Sequence, residues 1–338
     1  MAIRPTIKTI AQIAGVSHVA VSRALRGCSD ISPETTKRIL KIADEVGYTP
    51  NAAARSLSSK HTNAIGMIIP TLAENTAYSS VFNQVSNAAA EYGYTVLLGS
   101  SHRNLELERK HCRMMCESRV GALIVASSTS DVSHIKEICR EHVPVIFVGG
   151  KTGLDEVYSM TCNYRYSASL AVQHLYTLGH KNIALFTYGP ENNTIRQKEE
   201  GFIYEMTQRG LQPNILTTGH CDDTSSAGRD LVSKLISESR LPTAIWCASD
   251  LMAVGVLSTL RAHGIRVPED ISLIGHDNLY ISGLAGIELT TLHTPMQELG
   301  RAAAELAVRL IEQKDSIVPH QVFTTNLVIR NTTSNVSA

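Results

Sequence analysis

The first residues whose types and spacing admit chemistry fall within Thr9–Leu25. Ser17, His18, Val19, Ser22 and Arg23 would project outward from a short helix whose other face carries Val21, Ala24 and Leu25 at helical spacing. An earlier helix would place Ile10, Ile13 and Ala14 on one face, with the small residues Ala11 and Ala14 allowing a close crossing. Gly15 can take the backbone angles that end that helix, and Ser17 is a strong N-cap for the next one. A second helix fixed in this way fits a DNA major groove. A helical hairpin in an ordinary core is compatible with the same residues.

Other chemistries find less support. Cys112 and Cys116 lie one helical turn apart beside His111, but no further ligand completes a tetrahedral metal set. The seven cysteines, an odd number without a Cys-x-x-Cys pair, read as buried reduced thiols. The chain has no Gly-x-Gly-x-x-Gly, no phosphate loop and no Gly-x-Ser-x-Gly elbow. No catalytic residue, metal or cofactor is therefore expected, and the chain reads as a non-enzyme.

The elements that must position the reading helix follow from composition and order. At 338 residues, 43% hydrophobic and 18% charged, the chain has material for two or three cores. Its net charge is zero, yet residues 1–60 hold nine Lys/Arg against four Asp/Glu. A basic head on a mildly acidic body suits a polyanion at one end. No apolar run reaches the roughly 20 residues of a membrane span, and no secretory signal opens the sequence, so a cytoplasmic protein is expected.

Ser32, Pro33 and Glu34 mark the start of a third helix with an apolar face at Ile39, Leu40, Ile42, Ala43 and Val46. A short helix over 52–57, capped by Asn51, is too short to stand alone. From residue 63 the pattern alternates: strands over 64–70, 94–99, 120–126 and 143–148, with helices over 79–92, 106–118 and 132–142. It begins again with helices over 166–178, 198–209, 226–237 and 251–263, and strands over 183–187, 244–248 and 271–274. A helix over 296–312 and a strand over 322–329 close the chain. This alternation predicts two doubly wound α/β lobes, with a ligand cleft at the carboxyl ends of the strands.

The sequence resembles the lactose-repressor (LacI) family of bacterial transcription regulators over essentially its whole length. The matching runs are Ile10–Ser17, Val21–Leu25, Gly47–Leu57, Leu178–Ala184, Arg196 with Gly201-Phe202, Ser249–Gly255 and Val267–Asp277. The resemblance implies a helix-turn-helix DNA-binding domain (1–50), a hinge helix and linker (51–62), and an effector-binding, dimerising core of periplasmic-binding-protein type (63–338). The first lobe would span about 63–163 and 294–321, and the second about 164–293 and 322–332. The polar C-terminus lacks a leucine heptad, which favours a homodimer over a tetramer.

By the same resemblance His18 and Val19 read bases, with Arg23 as a further base contact. An imidazole can donate to or accept from a base edge, valine can meet a thymine methyl, and arginine suits guanine. Ser17, Ala20, Ser22 and Asn51 fall where the family meets phosphates, and Ala54 belongs to the hinge segment that touches DNA. Leu57 falls where a leucine from each subunit wedges into the minor groove. Arg196, Asp277 and Ser249 would line the effector cleft, suiting vicinal hydroxyls of a sugar. Tyr78, Asn163, Asp223 and Thr294 are further candidates. Ser249, where asparagine is common, and Ala73–Tyr78, in place of the usual loop, depart from the pattern. The implied function is a repressor released from a palindromic operator by a sugar or derivative. A purine-type corepressor is the alternative reading, and a transporter's solute-binding protein a remote one.

Overall fold

The computed structural model describes residues 5–25, 27–48, 63–72, 77–127, 129, 131–139, 143–149, 158–189, 193–219, 224–313 and 319–336. The chain divides into two compact units, Met1–Thr62 and Asn63–Ala338. In the first unit, α1 (Ile7–Ala14), α2 (His18–Leu25) and α3 (Pro33–Glu45) enclose Ile10, Ala11, Ala14, Val21, Ala24, Ile39 and Ala43. The inward stripe of α1 is therefore Ile10, Ala11 and Ala14, and Ile13 stays 55% exposed. Ile13 lies about 100° round the helix from Ala14, beyond the edge of so narrow a core. Leu40 is exposed for the same reason, while Ile39 and Ala43 of α3 point inward.

The second unit contains two six-stranded sheets. The first runs β11 (His320–Phe323), β5 (Tyr158–Cys162), β4 (Val145–Gly149), β3 (Ala122–Val125), β1 (Ala64–Ile69), β2 (Thr95–Ser100), all parallel. The second runs β12 (Asn326–Val328), β10 (Thr290–His293), β9 (Ser272–Asp277), β8 (Ala244–Cys247), β6 (Ile183–Tyr188), β7 (Asn214–Thr218). Only β12 is antiparallel among these pairings. The apolar runs are buried on both faces, as parallel strands flanked by helices require.

The chain changes sheet three times. After β5 it enters α7 (Tyr164–Thr177), which packs on the second sheet's core. After β10 it returns through α11 (Met296–Ile311), packed on the first. Between β11 and β12 it crosses again at Thr324-Thr325. The expected strand over 322–329 is thus two short strands in different sheets, and the break falls where paired threonines interrupt the apolar run. Strands β5, β7 and β10, which the periodicity passed over, are rich in Thr, Ser and Asn.

Close helix packing fixes the second lobe. Gly228 of α9 (Thr224–Ser237) and Gly255 of α10 (Asp250–Ala262) face each other's backbones, and a Cβ on Gly255 would stand 2.1 Å from the Ser225 carbonyl oxygen. Backbone cannot retreat as a side-chain tip can. Gly255→Ala is expected to destabilise the second unit by about 3 kcal/mol. The measurement is urea unfolding followed by fluorescence of Trp246, the chain's single tryptophan, which is fully buried in this lobe.

Candidate functional site: a reading helix and an interlobe cavity

In the first unit Thr6 caps α1 with its hydroxyl accepting from the Thr9 N–H, and Thr9 returns the bond. Gly15 ends α1 at a φ of 66°, the left-handed region that glycine enters without strain. The Ser17 hydroxyl then accepts from the Ala20 N–H at 3.1 Å and starts α2. Ser17, His18, Val19 and Arg23 are exposed, Ala20 and Ser22 half-buried, while Val21 and Ala24 hold the helix to the core. Arg23 Nε pairs with Asp30 at 2.7 Å, both side chains nearly half exposed. Such a pair is worth under about 1 kcal/mol, so the guanidinium can exchange it for a base or phosphate. Asn51, Ala54 and Leu57 lie outside the described residues.

The second unit holds a cavity of about 350 Å³ where the carboxyl ends of both sheets converge. Arg103 and Ala126 follow β2 and β3, Gly149 ends β4, Tyr164 follows β5, and Tyr188, Ser249 and Asp277 come from the ends of β6, β8 and β9. Its charged groups among the described residues are Arg103, Lys198 and Asp277. Tyrosines 78, 164 and 188 supply aromatic wall.

Lys198, on α8 (Asn193–Gln208), is the deepest cation. It is 4% exposed, donates to the Ala248 carbonyl at 2.8 Å, and lies 5.2 Å from the Tyr164 ring centroid. Burial brings its pKa down to about 8, opposed by the carboxylates of Asp277 and Asp250. Asp277 sits at a φ of 103° in a turn whose geometry is held from behind. The buried Asp250 accepts from the Leu279 N–H at 2.7 Å, and a Cβ on Gly275 would occupy the place of that carboxylate. Burial raises the Asp277 pKa, while Lys198 and the Thr294 hydroxyl, donating at 3.2 Å, pull it back. Beneath Tyr164, the buried His276 ring stacks on Trp246 at 6.1 Å, its pKa pushed down by burial.

Of the candidate ligand contacts, the structure brings Tyr78, Ser249 and Asp277 to the cavity. Ser249 also caps α10, accepting from the Met252 N–H at 3.3 Å. Arg196 stands apart: its side chain is 52% exposed, donates to Asn193 at 3.2 Å and pairs with Glu200. The reason is helical phase. Ile195, Lys198 and Phe202, at i, i+3 and i+7, form the buried stripe of α8, and Arg196 falls off it. That stripe was present in the sequence and would have identified Lys198. Asn163 is exposed and caps α7 through the Tyr166 N–H, and its neighbour Tyr164 reaches the cavity instead. Thr294 is buried behind Asp277 and orients it rather than lining the space. Asp223 lies outside the described residues.

Across the cavity, the Arg103 guanidinium lies 5.6 Å from the Tyr188 ring centroid, a cation–π contact between the lobes. Among the described residues no cluster of three His, Cys, Asp or Glu is placed to hold a metal, and no helix is long and apolar enough to cross a membrane.

The helix-turn-helix coincides with a match to the bacterial regulatory proteins of the lacI family over residues 6–51, and residues 172–333 match the periplasmic binding protein-like domain. Catabolite control protein A of Priestia megaterium is 33% identical over 324 residues, covering 94% of this chain and 97% of that protein. The chain belongs to the lacI family of bacterial regulatory proteins. The HTH-type transcriptional repressor PurR of Photobacterium profundum is 31% identical over 337 residues, covering 98% of this chain and 99% of that protein. A crystal structure of the lac repressor dimer bound to operator and an anti-inducer superposes with a TM-score of 0.87 at 26% identity, covering 98% of this chain and all of that one. The chain is thus a DNA-binding transcription regulator, with a helix-turn-helix and two α/β sheets of mainly parallel strands.

The state of Lys198 has a measurable consequence. Its folded pKa of about 8 lies below the ordinary 10.5, so between these values the unfolded chain holds more protons than the folded one. Stability from this group is complete above the unfolded value and is lost as pH falls through about 8. The Tm of the ligand-free protein relative to Lys198→Met is therefore expected to rise from pH 8 to pH 10. A flat difference across that range would place the ammonium in water.

Proposed function

We propose that the protein is a homodimeric repressor of carbohydrate-utilisation genes, released from a palindromic operator when a sugar or sugar derivative occupies the interlobe cavity. The observation that carries this reading is one cavity between the lobes lined by both Lys198 and Asp277 among three tyrosines. A cation and a carboxylate at fixed positions can each engage neighbouring hydroxyls, and a tyrosine face can carry the apolar side of a sugar ring. Ser249 and Thr224 add hydroxyls on the second lobe. Exposed apolar groups support the dimer: Leu97 on edge strand β2, Met114, Tyr280 and Leu284. A second copy would cover these groups. The three tyrosines also suit a planar heterocycle, which makes a purine corepressor the second reading.

In this scheme His18 and Val19 read bases, Arg23 adds a base contact, and Ser17, Ala20, Ser22, Asn51 and Ala54 meet the backbone. Leu57 wedges the minor groove. Ligand changes the separation of the two lobes' strand ends and so the spacing of the two reading helices. A coupling on the order of 1–3 kcal/mol suffices to switch occupancy.

Three measurements test this. A thermal-shift screen with sugars, sugar acids, sugar phosphates and nucleobases is expected to raise the Tm with a sugar-class compound, and Lys198→Ala should raise the concentration needed for operator release at least tenfold while leaving ligand-free operator affinity intact. Stabilisation by a nucleobase with tighter operator binding would establish the corepressor reading instead. His18→Ala is expected to cost about 1–3 kcal/mol on the cognate operator and little on random duplex, while both complexes weaken steeply with salt. Equal losses on both duplexes would remove His18 from base reading.

A further inference from the structure

Away from the cavity, the first lobe carries two thiols in contact. Cys116 lies in the last turn of α5 (Leu105–Glu117) and Cys139 ends α6 (Ser133–Cys139), with their sulfur atoms 3.7 Å apart. Both are free. The two helices are the crossovers from β2 to β3 and from β3 to β4, and they share one core on one face of the sheet with Met115, Ile135 and Phe147. Cys139 is buried there, whereas Cys116 at its margin is reachable from solvent. Neither lines the cavity.

We propose that Cys116 and Cys139 are a dithiol that hydrogen peroxide, or an organic hydroperoxide, converts into an intrachain disulfide. The two sulfurs need to approach by about 1.7 Å to reach bonding distance, a movement within the reach of side-chain rotation. Their roles differ by environment. The Cys116 thiol donates to the Cys139 sulfur; once Cys116 is a thiolate it accepts from the Cys139 S–H instead, which draws the Cys116 pKa below that of an ordinary thiol and raises that of Cys139. Cys112, one turn away and fully buried, is pushed up to about 12 and stays a thiol. The Cys116 thiolate attacks one peroxide oxygen, the O–O bond breaks, and the products are a Cys116 sulfenic acid and hydroxide, which takes up a proton as water. The Cys139 sulfur then attacks the sulfenic sulfur. It loses its own proton and expels the hydroxyl as a second water. In sum, two thiols and one hydrogen peroxide give one disulfide and two waters; with an organic hydroperoxide the first leaving group is the alkoxide, so the products are one disulfide, one alcohol and one water.

The product would join two crossovers that are otherwise held by packing and by the buried contact of His134 Nε2 with Glu108 at 2.9 Å, closing a loop through β3. Constraining the unfolded chain in this way raises stability.

The test uses the full chain, reduced, freed of reductant and exposed to a few equivalents of hydrogen peroxide. Peptide mass spectrometry is expected to find the Cys116 and Cys139 peptides linked, 2 Da lighter than the two thiols, in molecules that remain single chains on a non-reducing gel. The Tm should rise by roughly 5 °C and return when dithiothreitol is added. Cys116→Ser and Cys139→Ser should each abolish the link and the shift, with an unchanged far-ultraviolet circular-dichroism spectrum and a cooperative melt confirming that the variants fold. Cys139→Ser should leave a Cys116 sulfenic acid that dimedone labels. The proposal is overturned if the folded wild-type protein gives Cys116 sulfinic acid without the link, joins either residue to another cysteine or chain, or leaves both thiols unreacted.

Discussion

Removing an ammonium group from water costs several kcal/mol unless its charge and hydrogen bonds are matched. At Lys198 the matching groups come from separate parts of the chain: the Ala248 carbonyl beyond β8, the Tyr164 ring packed in the first lobe's core, and the Asp277 carboxylate at the end of β9. These groups are far apart in sequence and meet because β6, β8 and β9 run parallel in adjacent register. The charge thus acts as a constraint on the fold: a slip of one strand would leave it uncompensated. The same constraint makes the carboxyl ends of the strands a polar site inside an otherwise apolar lobe.

The turn that delivers Asp277 shows how that site is held. A non-glycine residue at a φ of 103° costs of order 1–3 kcal/mol and persists when its surroundings leave it no alternative. Gly275 leaves room for Asp250, Asp250 captures the Leu279 N–H and the Thr291 hydroxyl, and Thr294 orients the Asp277 carboxylate. Burial drives the Asp250 pKa up to about 7. Two buried carboxylates and one buried ammonium are therefore balanced within a few ordinary hydrogen bonds. A ligand that alters this balance acts on the end of β9, next to the strand from which the chain returns to the first lobe.

Much of the fold was legible because its signals are local. Capping by Thr6, Ser17, Ser32, Asn104 and Ser249 sets helix starts, and runs such as Ile65–Ile69 mark buried parallel strands. Where burial is partial, the signal fades: β7 and β11 are edge strands with exposed residues, and β10 is built on Thr290 and Thr291, whose hydroxyls are satisfied by tertiary hydrogen bonds. The division of Val322–Ile329 between two sheets depends on which strand each half can pair with, a long-range fact. The cavity was half legible. Asp277, Ser249 and Arg196 all come from the resemblance, but helical phase puts Arg196 off the buried stripe of α8 that carries Lys198. Ile13 is the same error in reverse, an apolar residue assigned inward although the stripe is complete without it.

The capping role of Ser249 narrows what the cavity can recognise. The Ser249 hydroxyl accepts the Met252 N–H and donates its own hydrogen to the Thr224 oxygen at 3.5 Å, a bond at the outer limit that a nearer acceptor would replace. Toward a ligand, Ser249 therefore acts as a donor. Lys198 is a donor by nature, with one of its three hydrogens already committed to Ala248. Asp277 is the described carboxylate acceptor on that wall. On the proposed reading, an occupant would present acceptors toward Ser249 and Lys198 and a donor toward Asp277, a requirement that adjacent hydroxyls meet because each is both. An asparagine at 249 would bring a second acceptor and two donors on a longer arm. On the proposed reading, the serine leaves more room and a simpler hydrogen-bond pattern, which shifts ligand selection to Lys198, Asp277 and the tyrosine faces.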